Sequence, residues 1–388
     1  ILKDISIVSN SESPMLDSLE TNCGYSDTLL RCNKLSLSLD VQHLIDAKIK
    51  INKISLSDGE FNLQTEAFKR TNLDRIFRLS KDAPKDTANK GNLNLLANTL
   101  KVNDFRFTMK NHTKYVFKGD STANFADLDV RDISIDISDV HLKSDTLYAQ
   151  INCIKGRDKS GLKIGTLSGK ARVCGTEALV SDFYLADSYS VLSSRYFYFR
   201  YSSPKDFADF TQKVKMGISL QNAFINFRTI GKIAPTLFDS RLAFYVNGEI
   251  TGTVKDIDAR NLVATSESGL SFINLNARIN GLPDISRTMA IAEIKGSSTI
   301  FTDLARIISS INNTPLNSKL ASLAPLTHFE FKGKLMGLLD DFVADGLITS
   351  PSGRVSVDLL FRNERNAGSR FNGTVALENV DAGAILSN

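Results

Sequence analysis

Apolar and polar residues alternate at period two through most of this chain, with turn chemistry interrupting the alternation at short intervals. Residues 35–41 read LSLSLDV, which sets Leu35, Leu37, Leu39 and Val41 on one face of a strand and Ser36, Ser38 and Asp40 on the other. The run DISIDIS repeats the grammar, with Ile133, Ile135 and Ile137 opposed to Ser134, Asp136 and Ser138. In AKIKINKISL the apolar phase slips between Ile51 and Ile54, the mark of a bulge or a strand end. The predicted class is mostly β: an elongated, curled antiparallel sheet with a few short helices.

Helical spacing appears in few places. TNLDRIFRLSK carries Leu73, Ile76, Phe77 and Leu79 at helical intervals behind Asn72 as an N-cap. PKDFADFTQKVK places Phe207, Phe210 and Val214 on one stripe, with Pro204 suited to a first turn. Short helices are also expected near 230–238 and 302–312, the latter placed to plug or gate one end of the sheet. Residues 1–80 form a first β module ending in a helix, the polar stretch 81–92 a linker, and 93–388 a continuing sheet. Helices this few cannot cover both faces of so much sheet, which excludes a doubly wound α/β fold.

At 388 residues the chain exceeds the ~250–300 at which a single compact core stops growing. Its 47 Lys and Arg against 43 Asp and Glu are interspersed, which argues against binding nucleic acid through phosphate neutralisation. No apolar stretch reaches the ~18 residues of a membrane span. The chain opens on Ile1 and reads as strand at once, so it is expected to be a piece of a longer protein. Cys23, Cys32, Cys153 and Cys174 form no CxxC pair. Two readings stand: buried thiols in strands, or a disulfide between Cys23 and Cys32 across a hairpin turn at GYSDT, suited to an oxidising compartment.

The chain offers no catalytic constellation. His43, His112, His141 and His328 are isolated, and G-x-S-x-G, Walker and Rossmann signatures are missing. Asp127, Asp129, Asp132 and Asp136 fall on the polar phase of their strand, which a solvated face explains without a metal. In RYFYFRYSS, Phe197 and Phe199 share one face with Tyr201, and Tyr196 and Tyr198 take the other. A protein that is not an enzyme, with no cofactor, is expected.

The run GYSDTLLRCNKLSLSLDVQHLIDAKIKINKISLSDGEFNLQTE followed by TNLDRIF resembles the N-terminal periplasmic region of the TamB branch of the AsmA-like superfamily, in its Bacteroidota form. Tyr25, Asp27, Thr28, Leu29, Asp58, Phe61, Leu63, Thr71, Asn72 and Leu73 stand at the matching places. SGLKIGTLSG, GLPDISRT, HFEFKGKLMGLLDDFVADGLITSPSGRVSVDL and GTVALENVDAGAIL extend the likeness over most of the chain.

The resemblance implies a bridge-like lipid-transfer protein. A helix missing from this sequence would anchor it in the inner membrane, and a U-shaped β-groove, apolar within, would carry phospholipid through the periplasm toward the outer membrane. The groove lining is assigned to Leu35, Leu37, Leu39, Ile49, Ile51, Phe105, Phe107, Ile133, Ile135, Ile137, Phe197 and Phe199. Two alternatives stand beside it: an assembly factor for outer-membrane β-barrels working with a TamA- or BamA-like partner through open sheet edges, and a structural β scaffold with faces packed on each other.

Overall fold

The computed structural model describes residues 1–8, 28–39, 50–65, 71–72, 96–111, 123–124, 126–232, 242–282, 284, 287–304, 306, 328–338, 341–364 and 368–380. Eighteen strands in them belong to one mixed sheet. The chain divides into two compact units. The first comprises Ile1–Cys174, Tyr184–Ser188 and Lys232–Pro235, the second Gly175–Phe183, Tyr189–Gly231 and Thr236–Asn388.

The first unit is built on β1 (Leu2–Val8), β2 (Thr28–Leu39), β3 (Lys50–Thr65), β4 (Leu96–Asn111), β5 (Asp127–Lys143), β6 (Thr146–Asp158) and β7 (Lys163–Val173). Each pairs with the next in chain order. All these ladders are antiparallel except β3–β4, which run parallel from Lys50↔Leu96 to Thr65↔Asn111. The expected antiparallel sheet is therefore mixed. A parallel neighbour needs a crossover of a dozen or more residues, and residues 66–95 supply it. The expected helix at 71–81 and the linker 81–92 lie in that stretch, outside the described residues save Thr71 and Asn72.

Asn72 is fully buried. Its Oδ1 accepts the Gln64 backbone N–H at 3.0 Å and its Nδ2 donates to the Asn62 carbonyl at 2.7 Å. Its β2 register on the other side of β3 runs to Leu30↔Phe61. Beyond that point the Asn72 amide engages the β3 backbone as the peptide group of a neighbouring strand would. The sequence assigned this residue to a helix cap; its backbone is helical here, and its side chain takes a ladder position against β3.

β8 (Glu177–Ala186) follows, and the second unit is built on β9 (Val191–Arg200), β10 (Lys215–Asn226), β11 (Ala243–Gly252), β12 (Asp256–Ser266), β13 (Phe272–Asn280), β14 (Met289–Ile300), β15 (His328–Gly337), β16 (Asp341–Ser350), β17 (Gly353–Glu364) and β18 (Gly368–Glu378). From β9 to β18 every pair is antiparallel and sequential. The expected helix at 204–215 is a 3-10 turn, Pro204–Asp209, leading into α1 (Phe210–Lys213). Ser203 Oγ accepts the Lys205 N–H, and the Asp206 carboxylate accepts the N–H of Ser203 in return. Where one is expected near 230–238, α2 (Phe227–Gly231) overlaps its start, and residues 233–238 fall outside the described set. Residues 301–304 and 306 are helical, in line with the start of the third, and 307–312 fall outside it.

The slip noticed at Ile51 and Ile54 recurs on strand after strand. Cys32 to Leu35, Val102 to Phe105, Val130 to Ile133 and Ile151 to Ile154 each step by three instead of two. From β2 to β4 the paired registers step together, and between β4, β5 and β6 they shift at bulges that compensate one another, so the apolar side chains stay on one face. Gly59 marks the place on β3 where this costs a side chain. A Cβ there would lie 2.5 Å from both the Arg31 carbonyl oxygen and the Phe105 ring, which covers the glycine from the same row.

Candidate functional site

Cross-strand registers resolve each unit into one apolar and one polar face. In the first unit Leu2, Leu35, Leu56, Val102, Ile135, Ile154 and Leu167 form a single row across β1–β7. Beside it run Leu37, Ile54, Leu100, Ile137 and Ile151, and on the other side Ile5, Cys32, Gly59, Phe105 and Ile133. The assigned residues Leu35, Leu37, Leu39, Ile51, Phe105, Phe107, Ile133, Ile135 and Ile137 all fall on this face; Ile49 lies outside the described residues. Cys32, Val102 and Phe105 are buried together, with Leu30, Leu56, Ile133 and Ile135 packed against them.

Cys32 carries a free thiol, directed at the Lys34 carbonyl (3.1 Å) and the Ser57 carbonyl (3.5 Å). Cys23 lies outside the described residues. Cys153 and Cys174 are half-buried.

The second unit carries the longer apolar rows. Phe197, Ile218, Ile250, Ala259, Ala277, Ala292, Leu335, Ala344, Leu359 and Gly373 face one another in turn from β9 to β18. The adjacent row runs Phe199, Met216, Gly252, Ile257, Ile279, Ala290, Gly337, Phe342, Phe361 and Phe371. Neither row contains a polar side chain over its ten strands. Phe197 and Phe199 were legible from their own strand. Ile218, Ile250, Leu335 and Phe361 were missed, although their alternation in KMGISL, EITG, FEFKGKLMG and VSVDLLFR is the same signal.

Side-chain volume varies along these rows. Ala259, Ala277 and Ala292 put three alanines side by side on β12–β14, flanked by Leu262, Leu275 and Ile294 one row away. The rows are mostly half-buried: Ile135, Ile137, Ile218, Ile250 and Leu335 all keep part of their surface in solvent. Leu37 and Leu39 are 49% and 47% exposed. Two sheets packed as a sandwich would bury such rows along most of their length; in these rows only Cys32, Val102, Phe105, Ile151 and Ala259 are buried.

Most charge lies on the opposite face, where it is locally balanced; buried Asp158, paired with Val130 of the apolar face, is an exception. Four of the five acids of DLDVRDISIDISD meet a cation: Asp127 with Lys159, Asp129 with Arg106 and Arg131, Asp132 with Arg157, Asp136 with Lys101. The Arg106 guanidinium, then that of Arg131, hold the Asp129 carboxyl far below the usual carboxylate range against the opposing pull of partial burial. Arg200–Glu177, Arg260–Asp258, Arg278–Asp256 and Arg362–Asp341 continue the pattern in the second unit. Tyr196 and Tyr198 also lie on this face. The Tyr198 ring covers Gly217 on one side and meets the Arg200 guanidinium at 4.3 Å on its face, so it offers no open platform for base stacking. Ile291 and Met336, 46% and 47% exposed, are apolar exceptions on the polar side of β14 and β15.

Of the histidines, His141 stacks on Tyr148 and sits beside the Asp139 carbonyl, and His328 lies near Glu330 and Ser298. His43 and His112 lie outside the described residues. No helix among the described residues is long and apolar enough to cross a membrane. No protein-family model, curated protein or solved structure matches the chain.

Proposed function

We propose that the chain is a lipid carrier of the periplasm, akin to the TamB branch of AsmA-like proteins. Acyl chains lie on the apolar face while head groups stay in water. The observation that carries this reading is the pair of ten-strand rows from Phe197 to Gly373 and from Phe199 to Phe371, apolar throughout and mostly half-buried. A surface of that kind needs an apolar cover, because contiguous exposed apolar patches on soluble proteins rarely exceed a few hundred Å². Each methylene laid on it recovers ~0.8 kcal/mol, the same quantity a lipid gives up per methylene on leaving a bilayer. Passage along the rows then needs no chemical step and no cofactor. In the full-length protein, an inner-membrane anchor would load phospholipid at one end and an outer-membrane partner of the TamA or BamA kind would receive it at the other.

The test is lipid extraction and mass spectrometry on the chain purified from a membrane-containing host, with Ile135→Asp, Ile218→Asp and Ser134→Asp beside it. Phospholipid that co-purifies with the parent and with Ser134→Asp, and falls in the two apolar-face variants, is the expected result. A folded parent without lipid, or equal loss from both faces, rejects the reading.

A further inference from the structure

The apolar face of the second unit ends in a patch of hydroxyls where β12, β13 and β14 meet the following turns. Ser266 closes β12 and pairs with Phe244 of the apolar face. Ser271 precedes β13, and its Oγ lies 3.0 Å from Thr299 Oγ1 near the end of β14. Asp303, in the helical turn 301–304 that follows β14, sits on this patch and is only 6% exposed. Its Oδ2 accepts hydrogen bonds from Ser266 (3.2 Å), Ser268 (3.1 Å) and Ser271 (2.7 Å).

A carboxylate this buried is tolerated only when its lone pairs are saturated. Three hydroxyls from one turn meet that need, and all three bonds join the helical turn to the sheet end. The same turn borders apolar surface. Leu242, Ala243 and Phe244 line one side of a small open cleft, and Asp303 and Arg306 line it with Ser266 and Ser268. Leu242 and Ala243 are each 6% exposed.

We propose that Asp303 is a latch: its three serine bonds hold the turn 301–304 against the end of the second unit's apolar face, and their release uncovers Leu242 and Phe244 and opens that end to an incoming acyl chain. The role in lipid entry rests on the carrier reading above; the mechanical role does not. Asp303 lies outside every strand, so its removal leaves the ladders of β10–β14 intact.

The experiment compares the parent chain with Asp303→Ala and the milder Ser268→Ala. Two readouts are taken: amide hydrogen exchange by mass spectrometry, and transfer of a fluorescent phosphatidylethanolamine from vesicles of phosphatidylethanolamine and phosphatidylglycerol. In Asp303→Ala, exchange at 299–304 and 266–271 is expected to rise by about tenfold or more, with the interior of β10–β12 unchanged and lipid uptake faster. Ser268→Ala should show a smaller change at the same amides. Unchanged exchange at 299–304 overturns the latch, and so does a rise spread evenly over β9–β18, which would make Asp303 a support of the whole fold. Local opening with lipid uptake unaltered removes its role in entry. A parent and variants that never take up lipid reject the carrier reading instead.

Discussion

Asp58 and Asp104 stand opposite one another across the parallel pair β3–β4, and both hold a positive φ, 54° and 52°. Asp4 on β1 and Asp132 on β5 also hold a positive φ, 51° and 55°, Asp132 on the far side of the Phe105↔Ile133 pair from Asp104. A single left-handed residue in a strand reverses the alternation, so each of these four strands changes face at its own aspartate. This is why Leu56 and Phe61, on either side of Asp58, still share the apolar face. Aspartate suits the position because its short polar side chain tolerates the left-handed region, whereas a β-branched residue does not.

Asp58→Val should therefore destabilise the first unit by ~1–2 kcal/mol, while Asp58→Asn stays within ~0.5 kcal/mol of the parent. Urea unfolding followed by circular dichroism suits a chain with no tryptophan. Equal midpoints for the valine and asparagine variants would refute this account of the aspartates.

Much of the fold was readable because one residue in two carries the signal. LSLSLDV and DISIDIS declare their faces without help from neighbours, and the structure puts Leu35 and Ile135 in one row three strands apart. The parallel turn of β4 against β3 was not readable, since alternation is the same whichever way a strand runs. The left-handed aspartates were hidden for a related reason. Each Asp lies in a polar position that a solvated face already explains, and only the register shows Asp58 and Asp104 side by side. Asn72 held a second role out of sight: Asn before an apolar helical run is a good cap signal, and nothing local says that a strand ten residues back needs a partner. The extent of the apolar rows in the second unit was likewise a matter of registration, because glycines and alanines such as Gly252 and Ala277 look neutral until they are lined up.

Asn72 makes a sharp test of ladder mimicry. Asn72→Ala leaves the Gln64 N–H and the Asn62 carbonyl without this partner in a buried place, which should cost ~2–3 kcal/mol. Asn72→Asp keeps the acceptor for Gln64 but sets a carboxylate oxygen against the Asn62 carbonyl, and should be at least as damaging at neutral pH. Part of its loss should return in acid, when the added carboxyl is protonated and donates again. An aspartate variant as stable as the parent at pH 7 would rule out the paired geometry.

Acid should weaken both units through two carboxylates whose protonation is resisted in the folded chain. Asp129 is held low first by the Arg106 hydrogen bonds, at 2.8 and 2.9 Å, and then by Arg131. For Asp303, burial pushes the carboxyl up, but the hydroxyls of Ser271, Ser268 and Ser266 together with Arg306 outweigh it and leave the group below its ordinary value. A carboxyl lowered on folding contributes its full stabilisation above the unfolded value, ~3.9 for aspartate, and loses it as pH falls through the lower folded value. Stability should accordingly be flat with respect to these groups at neutral pH and fall steeply below about pH 4. Asp129→Asn and Asp303→Asn should each be less stable than the parent at pH 7 and shed less stability in acid, so that the curves converge as pH falls. Urea midpoints measured from pH 7 downward decide the matter; parallel curves for parent and variants would show that neither carboxylate is coupled to folding in the way its hydrogen bonds imply.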